Sequence, residues 1–203
     1  MNHRVIGLSG VAGSGKDMFY SLLKKKLHPF IQRFALADVL KEELQESIQK
    51  LYGIDILNCS RKEKDLVRPV LVAHGKVRRE SSHGTYWTSI LTNKIGEYLE
   101  KNPSGIACVT DVRYDVFQHD EISWLKDTMN GYLVHIALRV PDENGKLVTL
   151  EPPNQDEKEN DPRLIAKADY CVEWPKLIST DLQYPNWEEL NPYVEAFLKK
   201  FNG

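Results

Sequence analysis

The chain has 203 residues, 41% hydrophobic and 28% charged, with a formal net charge of −2. That size and balance suit one α/β domain with its own core and exclude wholesale disorder. A near-neutral charge gives no general attraction to nucleic acid, and no apolar stretch reaches the length of a membrane span.

The cysteines Cys59, Cys108 and Cys171 stand far apart, without CxxC or Cys/His ligand spacing. Neither a disulfide framework nor a zinc site is expected, and reduced thiols point to a cytoplasmic protein. The apolar run 5–8 is too short for a signal peptide, and glycines follow it.

In chain order, Arg4 to Ser9 predicts a short buried strand, and Gly10 to Gly15 a glycine-rich turn. Lys16 to Leu27 predicts a helix with Phe19, Leu22 and Leu23 on one face, stopped by His28-Pro29. Phe30 to Ala37 reads as a second strand. Asp38 is suited to cap a helix that runs to Tyr52 and ends at Gly53. Residues 54–104 hold no good strand; Leu66 to Arg79 and Tyr86 to Lys101 predict helices separated by the polar turn at 81–84.

Ile106 to Thr110 is a clean strand closing on Asp111. Asp115 to Met129 predicts a helix, and Tyr132 to Val140 another strand. Residues 141–167 are rich in Pro, Asp, Glu and Asn, and read as a polar excursion opening with a hairpin at Asn144-Gly145. Asp169 to Trp174 predicts the last strand. Trp187 to Phe201 predicts a final helix that Pro192 can shorten. Strands alternating with helices imply a parallel sheet covered on both faces. Segments 38–104 and 141–167 leave it as excursions of a single domain spanning 1–203.

Gly10-Val11-Ala12-Gly13-Ser14-Gly15-Lys16 fits the phosphate-loop pattern G-x-x-x-x-G-K, with a strand before it and a helix after it. Glycines allow the backbone to turn its N–H groups into one concavity, and the helix aims its positive end there. Lys16 then supplies charge to the β- and γ-phosphates of ATP. Asp17 stands where Ser or Thr usually binds Mg²⁺. It is suited to hold the metal through water, to orient Lys16, or only to stabilise the helix N-terminus. Asp111, at a strand's C-terminal end, is either a second metal-holding acid or a cap. Arg113 either reaches a transferring phosphoryl group or pairs with Asp115 or Asp120.

Ser14-Gly15-Lys16-Asp17, Ala35-Leu36-Ala37-Asp38-Val39-Leu40-Lys41-Glu42 and Thr110-Asp111-Val112-Arg113 together resemble the phage deoxynucleoside monophosphate kinases. The animal-type phosphomevalonate kinases are similar. The resemblance spans about residues 4 to 140 and is specific only in those blocks. It implies a three-layer P-loop NTPase fold with a central parallel sheet, a helical acceptor-binding insertion at 38–104 and a lid at 141–167. The implied reaction moves the ATP γ-phosphate, with Mg²⁺, to a deoxynucleoside monophosphate in the cytoplasm, a host's if phage-encoded. Lys16, Asp111 and Arg113 would be catalytic, and Gly10, Gly13, Ser14, Gly15, Lys16, Asp17 and Arg139 would bind ATP. Asp17 and Asp111 would hold the metal, and Asp38 and Lys41 would face the acceptor.

Arg68, Arg78, Arg79 and Trp87 add a cation cluster and a flat ring suited to a monophosphate and a base, unless they form a solvated face and a core tryptophan. The implied partners are small nucleotides, not nucleic acid or membrane, and a homodimer is left open. The rivals are a phosphomevalonate or other phospho-acid kinase, which needs no base slot, and a nucleotide-hydrolysing regulatory protein.

Overall fold

A computed structural model describes residues 3–177 and 187–202. Strand β1 (Val5–Ser9) is buried at every position, as a central strand covered on both faces must be. Strands β3 (Ile106–Val109) and β4 (Tyr132–Pro141) flank it, both parallel. Strand β2 (Ile31–Phe34) adds parallel to β3, and β6 (Tyr170–Pro175) parallel to β4. The short β5 (Leu147–Thr149) runs antiparallel to the end of β4. Arg139 pairs with both β5 and β6, so β5 takes the β1 side of β4, beyond the point where β1 stops. The C-terminal end of β1 therefore opens at the middle of the sheet.

Alternate side chains of these strands enter two cores. On one face Ile6, Leu8 and Cys108 meet Phe19 and Leu23 of α1 (Lys16–Leu27) and Phe197 of α7 (Asn191–Asn202), which follows a 3₁₀ turn at Trp187–Leu190. On the other face Val5, Ala107, Val109 and Leu133 meet Leu91 and Ile95 of α4 (Thr85–Lys101), and Leu36 and Val39 of α2 (Leu36–Tyr52). A satellite cluster of Ile48, Ile56 and Val67 joins the far end of α2 to α3 (Arg61–Ser81). Within 38–104, α4 thus lies directly on the sheet, and α3 is the helix held away from it. Among the described residues no helix is long and apolar enough to cross a membrane.

Three expectations are corrected. Helix α2 begins at Leu36 with Ala35 at its N-cap, so the second strand is shorter than 30–37 and Asp38 lies inside the first turn. The Asp111 carboxylate supplies the cap from 75 residues away, accepting the Leu36 and Ala37 N–H groups at 2.8 Å each. The helix expected over 115–129 shrinks to α5 (Glu121–Ser123) and a π-helical turn, Trp124–Thr128. The Asp120 carboxylate accepts the Val116 and Phe117 N–H groups and that of Glu121 (2.9, 3.2 and 3.0 Å), which folds 116–120 into a turn and makes Asp120 the N-cap of α5. Finally, the expected hairpin is present in 141–167, but its second half is helix α6 (Gln155–Lys167), with Asn154 accepting from the Glu157 N–H at its start.

Candidate functional site

The site starts from the turn between β1 and α1. Gly10 has φ +128°, and a Cβ there would lie 2.2 Å from the Ile136 carbonyl oxygen. Gly15 has φ +97°, and its Cβ would lie 2.7 Å from the Trp174 ring. Only glycine serves at either place. The Trp174 indole N–H also donates to the Ser14 carbonyl at 2.9 Å. The turn is wedged between β4 and a fully buried tryptophan of β6, which fixes the direction of its amides. Gly13, also at positive φ, completes the turn beside Leu150.

Lys16 opens α1, and its ammonium donates to the Gly10 and Val11 carbonyls at 2.6 and 3.0 Å. Burial lowers its pKa to about 8, and the neighbouring Arg113 charge adds to this; Glu157, Asp17 and Asp111 pull the other way. Those five groups share one electrostatic field. Asp17 is exposed on the first turn of α1. Arg113 is half exposed, its guanidinium 4.0 Å from the Glu157 carboxylate of α6. The pairs suggested by sequence are taken elsewhere: Asp115 binds Lys167, and Asp120 binds Arg79.

The acceptor side is reorganised relative to expectation. Asp38 and Lys41 pair at 2.7 Å, and a residue the sequence reading passed over, Arg33 at the end of β2, joins them at 2.5 Å from Asp38. Burial opposes the Asp38 charge, but hydrogen bonds from Lys41 and Arg33 outweigh it and hold the carboxyl below its usual range. Asp111 and Asp17 lie within the field of Arg33, so this cluster borders the loop.

The Arg68 to Arg79 set does not form one surface. Arg68 is exposed and bound to Asp65, while Arg79 is 11% exposed and bound to Asp120. Eleven residues of helix separate them by about 16 Å. Arg78 binds Glu43, which also accepts from His74 and Tyr86. Trp87 is 6% exposed and packs in the core beside Leu91, so it lines no open slot. Arg139 clips the hairpin, donating to Thr149 and to the Leu147 carbonyl at 3.0 Å each.

Four further groups were missed. The buried Glu121 carboxylate accepts the Arg113 and Tyr114 N–H groups at 2.6 and 3.1 Å. Burial pushes its pKa up to about 8; Asp120 and Asp111 add to the rise, and the amides oppose it. His135, beside Ser9, is buried, and burial with the Lys16 charge lowers it to about 4. Its 3.8 Å approach to Asp161 is therefore no ion pair near neutrality. Glu157 and Asp161, one turn apart on α6, both face the loop. A histidine inside an apolar strand was the signal for His135; the acids gave none.

Among the described residues no group of three or more His, Cys, Asp or Glu side chains is set to hold a metal ion. Asp17 and Asp111 are nonetheless hard oxygen donors of the type Mg²⁺ takes, with few protein ligands and several waters. Each Asp111 oxygen already accepts one amide and keeps a lone pair. The donor set fits such an ion.

No family model matches this chain, and no curated protein does. Solved structures do. A dephospho-CoA kinase from Campylobacter jejuni superposes with a TM-score of 0.50 at 10% identity, covering 98% of this chain and 97% of that one. A shikimate kinase from Aquifex aeolicus gives 0.44 at 18% identity, covering 98% of each chain. The central, mostly parallel sheet flanked by helices is the three-layer α/β fold that the P-loop kinases share.

Proposed function

From that fold and the charges gathered at the end of β1, we propose that this chain is an ATP-dependent phosphotransferase acting on a small phosphorylated acceptor, a deoxynucleoside monophosphate. One observation carries the reading. The glycine turn is locked against Trp174 with Lys16 at its end and Arg113 beside it, a concave set of amides and cations suited to a polyphosphate.

The Ala12 to Lys16 backbone and the ammonium would hold the β- and γ-phosphates. Arg113 would meet charge developing on the transferred group. Asp17 and Asp111 would hold Mg²⁺, which would supply neutralisation of phosphate charge. Arg33 and Lys41, oriented by Asp38, would face the acceptor's phosphate. An acceptor that is already an anion needs no strong base, so placement and charge neutralisation carry the step. Segment 141–167 would act as the lid and 38–104 would receive the acceptor.

The core position of Trp87 leaves the base without its expected ring and favours a second acceptor, phosphomevalonate or another small phospho-acid. A coupled ADP-release assay with all deoxy- and ribonucleoside monophosphates, plus phosphomevalonate, separates the two. Turnover on none of them, or ATP hydrolysis without an acceptor, refutes the phosphotransferase reading. Lys16→Ala should lower turnover by at least about 10²-fold.

A further inference from the structure

The lid helix does more than border the loop. A Glu157 carboxylate oxygen accepts the Ala12 N–H at 2.6 Å, inside the segment whose amides would meet phosphate. The other oxygen lies 4.0 Å from the Arg113 guanidinium, and the side chain is only 15% exposed. Asp161, one helical turn on, adds a second acid, and its Oδ1 is buried with no hydrogen-bond partner among the described residues. The cleft lined by Gly10, Val11, Arg113, Glu157 and Asp161 holds only about 10 Å³, scarcely room for one water molecule. Lys16 meanwhile donates to the loop's own Gly10 and Val11 carbonyls.

We infer that Glu157 is an internal phosphate mimic: it latches α6 onto the phosphate loop, and a nucleotide must displace it to bind. The inference rests on reading the loop as a nucleotide phosphate site. A carboxylate and a phosphate oxygen ask for the same amide donor and the same cations, so the two cannot occupy Ala12 and Arg113 together. The unpartnered Asp161 oxygen makes the latched arrangement costly to hold, which suits a contact meant to open. An empty enzyme would then shield its cations, and the lid would move only when a polyphosphate outcompetes the acid.

The apparent affinity of a site open part of the time falls by the open fraction. If the loop is free one-tenth of the time, Glu157→Gln should tighten Mg·ATP binding by about tenfold in calorimetric titration. That substitution removes charge and keeps the reach to the Asn154 amide. Glu157→Ala should do at least as much, and Glu159→Gln, whose partner is Gln155 on the same helix, should do nothing. Without nucleotide, the Ala12 amide proton should exchange with solvent faster in Glu157→Ala than in the wild type. Unchanged or weaker Mg·ATP binding in both Glu157 variants, with the wild type binding normally, overturns the latch and leaves the functional reading standing. Absence of Mg·ATP binding in all of them overturns both.

Discussion

Asp120→Ala tests how the segment carrying Arg113 is held. Asp120 is fully buried. Its carboxylate takes the Arg79 guanidinium and the N–H groups of Val116, Phe117 and Glu121. Arg79 itself is sandwiched over the Tyr114 and Phe117 rings, 4.0 and 4.9 Å from their centroids; among the described residues its other acid partner is Glu80, at 3.9 Å. Removing the carboxylate leaves a cation nearly out of water, plus three amides without their acceptor. Breaking one side of such a pair costs about 3–5 kcal/mol. At about 2–4 °C per kcal/mol for a chain of this size, melting should fall by about 6–20 °C. Asp120→Asn keeps an acceptor for the amides and should lose less. Combined with Arg79→Met, the loss should be well short of the sum, because the orphaned cation is gone. Calorimetric melts of the wild type, the three single variants and the Asp120→Ala/Arg79→Met double variant measure this. A drop of less than about 1 kcal/mol in Asp120→Ala would show that the pair behaves as an exposed one and that the turn is held by something else.

Other outcomes follow from groups whose protonation the fold has moved. Lys16 is held near pKa 8, so its charge is lost as pH rises through that value. Mg·ATP should then bind more weakly above pH 8, by up to about tenfold per unit, and Lys16→Arg, always charged, should lack this limb in titrations. Glu121 is held near pKa 8 against an ordinary 4.5, so the native state binds the extra proton between those values and stability falls as pH rises across them. Glu121→Gln should remove that slope, at most about 1.4 kcal/mol per unit, raising the melting point at pH 8 and not at pH 4.5. Gly15→Ala places a Cβ against Trp174 at positive φ. It should cost about 2–5 kcal/mol in urea unfolding, from left-handed strain plus overpacking. Measured within a Trp174→Leu background, Gly15→Ala should cost only the strain share, about 1–2 kcal/mol.

The sheet was legible because its central strands are short continuous apolar runs, and the glycine turn after β1 because its glycines answer a local need. What escaped the reading was made at long range. Asp111 caps α2 across 75 residues, a bond no local pattern announces, and Asp38 looked like the better cap because it is nearer. Asp120 and Glu121 dissolve a helix that periodicity favoured, by collecting backbone donors. Arg33 carried a weak signal, as a cation inside a short strand. Helix α6 carried one too, since Asn154 with Glu157 three residues on is a helix-start signature, but the richness of 141–167 in Pro, Asp, Glu and Asn read as a polar excursion. Trp87 and Arg79 fitted a ligand site by composition alone, and burial decided otherwise.

The aromatic packing also bears on synthesis. Phe19, three residues past the loop lysine, rests on Trp174 and Phe197, with ring centroids 5.7 and 5.6 Å away. Those rings are translated some 155 to 180 residues later, and at ordinary elongation speeds the wait is roughly 10–40 s. Until then the apolar face of α1 lacks its two ring partners on the nascent chain. The ribosome-bound stage is therefore where a chaperone would find its handle.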